Sequence, residues 1–248
     1  MKPMRVLLTP ASPRTQTKLV EPLRTIGTDL RVTPANATGR LGLLLNMTAA
    51  FTAAACASAD VVLTDEAVTF VTTAAWRGAR LRGRPFILRP RGDWFQEAEN
   101  NAQRGQMGAA GTARAHRLFR RCFRSANGLI PVSEALGDIL VARMDLDRER
   151  MITVPISTDI DRFRPADDAE VARLKAELGY RCAHLLPVVM NFQFAQKVAG
   201  VERFLPALRA LMDAREDACV VIAGDGPLHS EFIEHNRELL DHPRMFAP

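Results

Sequence analysis

The chain has 248 residues, of which 47% are hydrophobic and 25% charged, and its formal net charge is +5. This length allows one or two domains with a substantial core, and the composition is that of a globular protein. No apolar run reaches the roughly 18 residues that a membrane-spanning helix needs, so we expect no such helix. The first residues, MKPMRVLLTP, hold too short an apolar stretch for a signal peptide and predict a first strand.

The positive charge lies in the first part of the chain. Residues 1–150 contain 22 Lys and Arg against 13 Asp and Glu, whereas residues 151–248 contain 11 against 15. A positive first part predicts an anionic partner, such as a phosphate-bearing acceptor or a membrane surface. An arginine-rich surface without any partner is the alternative. Lysines are rare and stand only at positions 2, 18, 175 and 197.

Strand-like apolar runs alternate with helical patterns along the whole chain. The predicted strands are residues 4–9, 30–33, 61–64, 86–89, 128–132, 152–154, 185–191 and 220–223. The predicted helices are residues 17–26, 40–58, 68–80, 96–124, 134–143, 168–178, 201–214 and 228–240. This alternation indicates an α/β protein with parallel sheets that are covered by helices on both faces. The most apolar segment, Leu41–Ala59, predicts a buried helix.

A proline-containing extended stretch, residues 153–165, predicts the boundary between two domains. We place it between residues 154 and 155, which gives a first domain of residues 1–154 and a second of residues 155–248. Both predicted domains have the Rossmann-like alternation of strands and helices.

Metal and disulfide chemistry find little support in the sequence. The four cysteines, Cys56, Cys122, Cys182 and Cys219, lie far apart without a CxxC pair, which predicts buried free thiols in a cytoplasmic protein. The five histidines form no metal-ligating pattern, so we expect no metal site.

The segment RPRGDWF, residues 89–95, follows the fourth predicted strand at its carboxyl end. Arginine offers a planar fork for phosphate oxygens, and an indole face stacks on a sugar ring. We interpret Arg89, Arg91, Gly92 and Trp94 as a sugar or phosphate contact surface, with a simple turn as the alternative. Asp93 is both a candidate catalytic carboxylate and a candidate N-cap of the next helix.

Ser133 stands between a strand and a helix, which predicts an N-cap, a substrate contact through its hydroxyl, or both. The helix before that strand carries arginines at positions 117, 120, 121 and 124, opposite an apolar face. Such a stripe is either a solvated face or a contact with anionic lipid. The chain has no recognisable nucleic-acid-reading module, so we predict no nucleic-acid partner.

Two segments of the second domain predict anion binding at the ends of strands. Gly224-Asp225-Gly226-Pro227 closes a strand and opens a helix, whose N-terminus attracts negative charge. Lys197 is predicted in the loop between a strand that ends near Asn191 and the next helix, where an ammonium would neutralise a diphosphate. The patterns GxGxxG, Walker A and GxSxG are absent, so a nicotinamide cofactor has no support.

Taken in order, these motifs resemble the retaining glycosyltransferases of family 4, which have the two-Rossmann (GT-B) fold. The resemblance rests on VSEAL (residues 132–136), ITVPISTDIDRFRP (residues 152–165), the lysine loop and VVIAGDGPL (residues 220–228). It is best from Leu129 to Pro248, and from Met4 to Arg124 it rests on the order of elements alone. It implies that the first domain binds a carbohydrate or lipid-linked acceptor and the second a nucleotide-diphosphate sugar. The donor residues that it implies are Lys197, Gly224, Asp225 and Gly226, and the implied acceptor residues are Arg89, Arg91, Gly92 and Trp94. From their positions at the ends of strands we add Asn191 to the donor set and Ser133 to the acceptor set.

The chain also departs from the family pattern. Phe192 stands where an arginine usually precedes the lysine, residues 9–13 replace a glycine-rich loop, and Ser157-Thr158 replaces an Asn-Gly pair. Arg91 lies near the place of a frequent histidine. The family's pair of glutamates, eight residues apart, would lie beyond Pro248, so we expect the second domain to be incomplete and the 248 residues alone to show little transferase activity.

The resemblance implies transfer of a sugar to an acceptor hydroxyl without metal or organic cofactor, because lysine and backbone amides stabilise the leaving diphosphate. We expect a cytoplasmic protein with a peripheral contact at the inner face of the membrane. Two alternatives remain open: a non-enzymatic remnant or subunit that another chain completes, and a sugar-nucleotide epimerase.

Overall fold

A computed structural model describes residues 3–11, 19–34, 37–65, 69–158, 160–161 and 163–247. The chain forms two compact units, Met1–Phe163 and Arg164–Pro248. Each unit has its own parallel sheet and its own buried apolar side chains. The α/β fold class with two Rossmann-like units is therefore confirmed.

Five parallel strands form the sheet of the first unit, in the order β2-β1-β3-β4-β5. They are β1 (Arg5–Ala11), β2 (Asp29–Pro34), β3 (Val61–Thr64), β4 (Phe86–Leu88) and β5 (Gly128–Leu129). Parallel strands all end at the same edge of a sheet, which we call the carboxyl edge of the unit. In open α/β sheets this edge is where ligands bind.

Helices cover both faces of this sheet. They are α1 (Glu21–Thr25), α2 (Gly39–Cys56), α3 (Phe70–Leu81), α4 (Trp94–Gln103), α5 (Ala109–Ser125) and α6 (Glu134–Met144). Successive residues of a strand point to opposite faces. Accordingly Leu7 packs in the larger core with the side chains of α2, α3 and α5. Its neighbours Val6 and Leu8 pack in a smaller core with residues that flank and begin α1.

The second unit has a three-stranded parallel sheet in the order β6-β7-β8. Its strands are β6 (His184–Val189), β7 (Ala218–Ala223) and β8 (Met245–Phe246), and its helices are α7 (Asp168–Glu177), α8 (Ala195–Ala214), α9 (His229–His235) and α10 (Arg237–Leu240). The central strand β7 is buried from Ala218 to Ile222. Among the described residues no strand pairs with the outer side of β6, so β6 is an edge strand.

The division between the two compact units lies between residues 163 and 164, and our domain boundary between residues 154 and 155 stays a prediction. The amides of Ile152 and Val154 each donate a hydrogen bond of 3.0 Å to carbonyl groups of β5 and the residues after it. These bonds keep the start of the proline-containing stretch in the first unit. The predicted strand 152–154 is only an isolated bridge between Leu129 and Met151.

Four predicted helices differ from the structure, and the one predicted over residues 228–240 is two short helices, α9 and α10. The helix predicted over residues 96–124 is two helices, α4 and α5, because Gly105 has a φ of +71° that an α-helix cannot contain. Helix α8 begins at Ala195, earlier than predicted, so that Lys197 lies in its first turn. The helix predicted over residues 17–26 is α1 in its second half, and residues 17 and 18 lie outside the described residues.

Helix α2 is not buried all round, contrary to our prediction. Small side chains form its covered side, including Gly42, Ala50 and Ala54. The leucines point outwards, with Leu41 71% exposed and Leu44 60% exposed. A helix that is apolar on every side has no periodicity to predict which side is covered. No described helix is long and apolar enough to cross a membrane.

The prediction of four buried free thiols is wrong for three of the cysteines. Cys182 and Cys219 form a disulfide, with their Cα atoms 5.7 Å apart. The parallel register of β6 with β7 pairs His184 with Ala218, which brings these two cysteines to the same end of the sheet. Cys56 is free and exposed, and Cys122 is free and buried as predicted. Burial raises the pKa of the Cys122 thiol above its ordinary value.

Candidate functional site

The carboxyl edge of the second unit brings together the two segments that we predicted for the donor. The turn after β7 contains Gly224, Asp225 and Gly226, and it lies against the segment after β6. The amide of Phe192 donates to the carbonyl of Asp225 at 3.1 Å, and the amide of Leu228 donates back to the carbonyl of Phe192 at 3.0 Å. Residues 190–197, which we call the lysine segment, and the Gly-Asp-Gly turn therefore form one hydrogen-bonded structure.

Both glycines of the turn are required by this close approach. Their φ angles are +152° for Gly224 and +149° for Gly226, and residues with a Cβ atom rarely adopt such angles. A Cβ atom on Gly224 would overlap the carbonyl oxygen of Met190, and one on Gly226 would lie 2.7 Å from the carbonyl carbon of Phe192. Between them the exposed Asp225 carboxylate accepts a hydrogen bond of 2.6 Å from the amide of Gly226.

Lys197 lies exposed in the first turn of α8. Its Nζ is 5.3 Å from the centre of the Phe194 ring, and it makes no ion pair with any described residue. Phe194, the N-cap residue of α8, makes no capping hydrogen bond at this end of the helix, where the backbone dipole places positive charge. An ammonium and an uncapped helix N-terminus within one turn of each other form a site that attracts an anion.

The other residues of this segment hold its shape. The Asn191 carboxamide oxygen accepts a hydrogen bond of 2.8 Å from the amide of Gln193, which closes a turn at the end of β6. Phe192 is fully buried, with its ring 4.8 Å from His229 and 5.1 Å from Phe232. The family pattern usually has an arginine at this position. In this chain the position holds the buried Phe192, whose backbone binds the Gly-Asp-Gly turn.

The carboxyl edge of the first unit contains a buried cluster of charged residues, Asp65, Arg89 and Arg91, which we did not predict from the sequence. Asp65, directly after β3, is 1% exposed, and its carboxylate lies 2.7 Å from a guanidinium nitrogen of Arg89 and 3.6 Å from Nε of Arg91. Arg89 also donates to the carbonyl of Pro155 at 3.3 Å. The available signal was an acid immediately after a buried strand, with two arginines after the next strand.

The predicted acceptor surface is smaller than we expected. Arg89 is 5% exposed and is engaged by Asp65, so its charge faces the interior. Trp94 is 7% exposed and packs 5.3 Å from Phe123, so its indole belongs to the core and offers no face to a sugar. Arg91 and Gly92 are half-buried and form the accessible part of this segment.

Two predicted N-caps of the first unit are confirmed. Asp93 accepts hydrogen bonds from the amides of Phe95 and Gln96 at the start of α4, and it also pairs with Arg143 at 3.1 Å. Ser133 accepts from the amide of Leu136 at 3.2 Å at the start of α6, and it is exposed. A contact of either side chain with a substrate stays a prediction.

A groove of the second unit lies elsewhere. It has a volume of about 780 Å³ and lies beside the first half of β6, between α7 and the end of α8. Its lining is mainly aliphatic and includes Val171, Leu174, Leu178 and Leu211. Because polar groups that converge on a ligand are the mark of a nucleotide site, we place the candidate donor site at the carboxyl edge and not in this groove.

Comparison with known proteins identifies the family. Residues 3–157 match the model of the glycosyl transferase 4-like domain. The chain belongs to this family. No curated protein sequence matches it significantly.

Solved structures that are similar to this glycosyl transferase 4-like chain share its fold across both units. HepE of Anabaena, in complex with UDP and glucose, is 12% identical with a TM-score of 0.64, and the match covers 99% of this chain and 69% of HepE. A glycosyltransferase of Rickettsia africae is 10% identical with a TM-score of 0.67 and coverages of 100% and 68%. A UDP-N-acetylglucosamine 2-epimerase of Rickettsia bellii is 12% identical with a TM-score of 0.57 and coverages of 100% and 69%. Transferases and epimerases thus share this fold.

Proposed function

We propose that this glycosyl transferase 4-like chain binds a nucleoside-diphosphate sugar at the carboxyl edge of its second unit and transfers the sugar to an acceptor hydroxyl. One observation carries the proposal: the Gly-Asp-Gly turn and the lysine segment are joined by hydrogen bonds beside the uncapped N-terminus of α8. The family membership of residues 3–157 supports transfer over epimerisation.

The proposed chemistry follows from the charge of the leaving group. When the bond between the sugar and the diphosphate breaks, negative charge develops on the diphosphate oxygens. The ammonium of Lys197 and the first amide groups of α8 stabilise that charge, as do preorganised donors in general. This assignment requires no metal and no organic cofactor. Gly224 and Gly226 allow the turn to lie against residues 190–193, and Asn191 keeps the facing turn closed.

For the acceptor we propose a carbohydrate or a lipid-linked sugar at the carboxyl edge of the first unit. Arg91, Gly92 and Ser133 are the accessible residues of the predicted acceptor set. Arg91 is held by the buried Asp65, so its guanidinium is positioned before any ligand binds. Asp93 remains the candidate catalytic carboxylate, although its oxygens already cap α4 and pair with Arg143.

The proposal is tested by nucleotide binding, which does not depend on turnover. UDP is the first probe, because HepE was solved with UDP. We expect calorimetric titration to show that Lys197→Ala binds UDP about 10- to 100-fold more weakly than the unaltered chain, the usual loss of a charged hydrogen bond. Arg203→Ala is the control, since this exposed cation lies further along the same helix and should leave affinity unchanged.

Equal affinity of Lys197→Ala and Arg203→Ala would sink the assignment of Lys197 to the diphosphate. Proton NMR of the same mixtures with a UDP-sugar separates transferase from epimerase, since an epimerase converts the donor without any acceptor. We expect no such conversion.

A second candidate function is a subunit that another chain completes. It is favoured by the unpaired edge of β6 and by the aliphatic groove beside it, where Leu178 is 63% exposed. An edge strand next to uncovered aliphatic side chains is a site where another strand can pair. This candidate predicts that the chain by itself has no measurable affinity for UDP, so the same titration decides between the two.

A further inference from the structure

Three neighbouring helices of the first unit, α2, α3 and α5, form one layer over the sheet. The backbone of Gly78 in α3 lies against α2, where an added Cβ would be 2.9 Å from the Cβ of Ala54. On the other side of α3, the Thr73 hydroxyl is 3.7 Å from the Cys122 sulfur of α5. Helix α3 is therefore between the other two, and we treat the exposed side chains of the three neighbouring helices together as one surface.

The α2 part of this surface is aliphatic. Leu41, Leu44 and Leu45 are 71%, 60% and 57% exposed. At 100° per residue they lie within about 120° of one another around the helix axis. The only charged residue of α2 is Arg40. Monomeric proteins rarely leave such a patch uncovered, and exposed contiguous leucines usually mark a contact with a protein or a membrane.

The α3 and α5 parts of the surface are strongly basic. The exposed arginines there are Arg77 and Arg80 on α3 and Arg114, Arg117, Arg120 and Arg121 on α5, whereas Arg124 donates to the carbonyl of Met144 at 3.3 Å. None of these arginines forms an ion pair with a described residue, and α2, α3 and α5 contain no Asp or Glu. The guanidinium of Arg114 lies 5.0 Å from the centre of the half-exposed Phe70 ring, and that of Arg121 lies 5.2 Å from the Trp76 ring. The aromatic stacking holds both arginines along the boundary between α3 and α5.

We propose that the α2–α5 surface, defined as Leu41, Leu44 and Leu45 together with these arginines, docks on the face of an anionic lipid bilayer. The leucines enter the boundary between headgroups and acyl chains, and the arginines contact lipid phosphates. Aliphatic side chains beside a basic region are the combination that interfacial helices use. Each cation near an anionic bilayer adds to the attraction.

Charge and chemistry favour this occupant over two others. A second copy of the chain, related by a twofold axis, would bring the same arginines opposite each other, and like charges in an interface oppose association. A nucleic acid would satisfy the arginines but would leave the leucines in water. The inference concerns a surface of the first unit and does not rest on the proposed donor site.

Vesicle flotation of the complete chain tests the proposal. At about 0.1 M salt, where exposed charges still interact over ~10 Å, we expect binding to phosphatidylcholine vesicles with about 30% phosphatidylglycerol. We expect little binding to vesicles of phosphatidylcholine alone. Raising the salt to about 0.5 M should release much of the protein, because the Debye length shortens.

Two triple variants separate the contributions of charge and of apolar side chains. Replacement of Arg114, Arg117 and Arg121 by glutamine should weaken binding about 100-fold, since each cation contributes about a fivefold factor. Replacement of Leu41, Leu44 and Leu45 by serine should weaken it at least about tenfold. The control replaces the exposed Arg164, Arg181 and Arg203 of the second unit by glutamine, which removes the same charge and should change affinity less than about twofold.

Several results would overturn the proposal. They are equal binding to neutral and anionic vesicles, no binding to either, or an equal loss in the control variant. A lipid-independent dimer that the leucine variant abolishes would assign the surface to a second copy. Binding to duplex DNA that only the arginine variant loses would assign it to nucleic acid. Flotation uses no nucleotide, so failure here and failure of UDP binding are separate outcomes.

Discussion

Replacing Asp65 by asparagine should destabilise the first unit by about 3–5 kcal/mol, the usual effect of removing one partner of a buried ion pair. Asp65 and Arg89 are 1% and 5% exposed, so the guanidinium would stay in the interior without a counter-charge. Urea denaturation measures the effect. Both tryptophans, Trp76 and Trp94, are buried in the first unit, so tryptophan fluorescence reports the unfolding of that unit.

The matched control is Asp60→Asn in the same unit. Asp60 pairs with Arg5 at 2.5 Å, but both side chains are substantially exposed, and exposed ion pairs contribute little to stability because water screens them. We therefore expect a large loss for Asp65→Asn and a small one for Asp60→Asn. Similar losses for the two variants would mean that water reaches Arg89, and the buried cluster would then not hold Arg91 in position.

The elements that sequence predicts well are those whose signal is local. The short Val- and Leu-rich runs of β1, β3 and β7 predicted parallel strands, and capping side chains predicted the starts of α4 and α6. We did not predict the start of α8, because it lacks such a capping side chain. Phe194 stands at its N-cap position and makes no capping hydrogen bond, so the sequence carries no start signal there. Lys197 was consequently predicted in a loop and lies in a helix.

Contacts between residues that are far apart in the sequence could not be predicted from local sequence patterns. The pairing of Asp65 with Arg89 depends on β3 and β4 being neighbours with their ends level, and the Cys182–Cys219 disulfide depends on the register of β6 with β7. The exposure of the α2 leucines depends on which side of the helix α3 covers. In each case the residue types were visible in the sequence, but their partners are set by tertiary structure.

Gly224→Ala should destabilise the second unit by about 2–4 kcal/mol, through backbone strain and overlap with a neighbouring chain segment. The φ of +152° is unfavourable for alanine, and the new Cβ would overlap the carbonyl oxygen of Met190. The turn after β7 must then separate from the segment after β6, which breaks the hydrogen bonds between Phe192 and both Asp225 and Leu228. Faster amide hydrogen exchange at residues 190–192, 224–226 and 228 measures this separation.

Gly200→Ala is the control, because Gly200 lies within α8 with open space around its Cα and no unusual φ. Alanine there should leave exchange unchanged or slow it, since it favours the helix by about 0.5–1 kcal/mol over glycine. If the donor site requires the joined turn, Gly224→Ala should also lose UDP binding while Gly200→Ala retains it. Retained UDP affinity despite faster exchange in Gly224→Ala would show that the joined turn is structural, and the donor site would then have to rest on Lys197 and the N-terminus of α8.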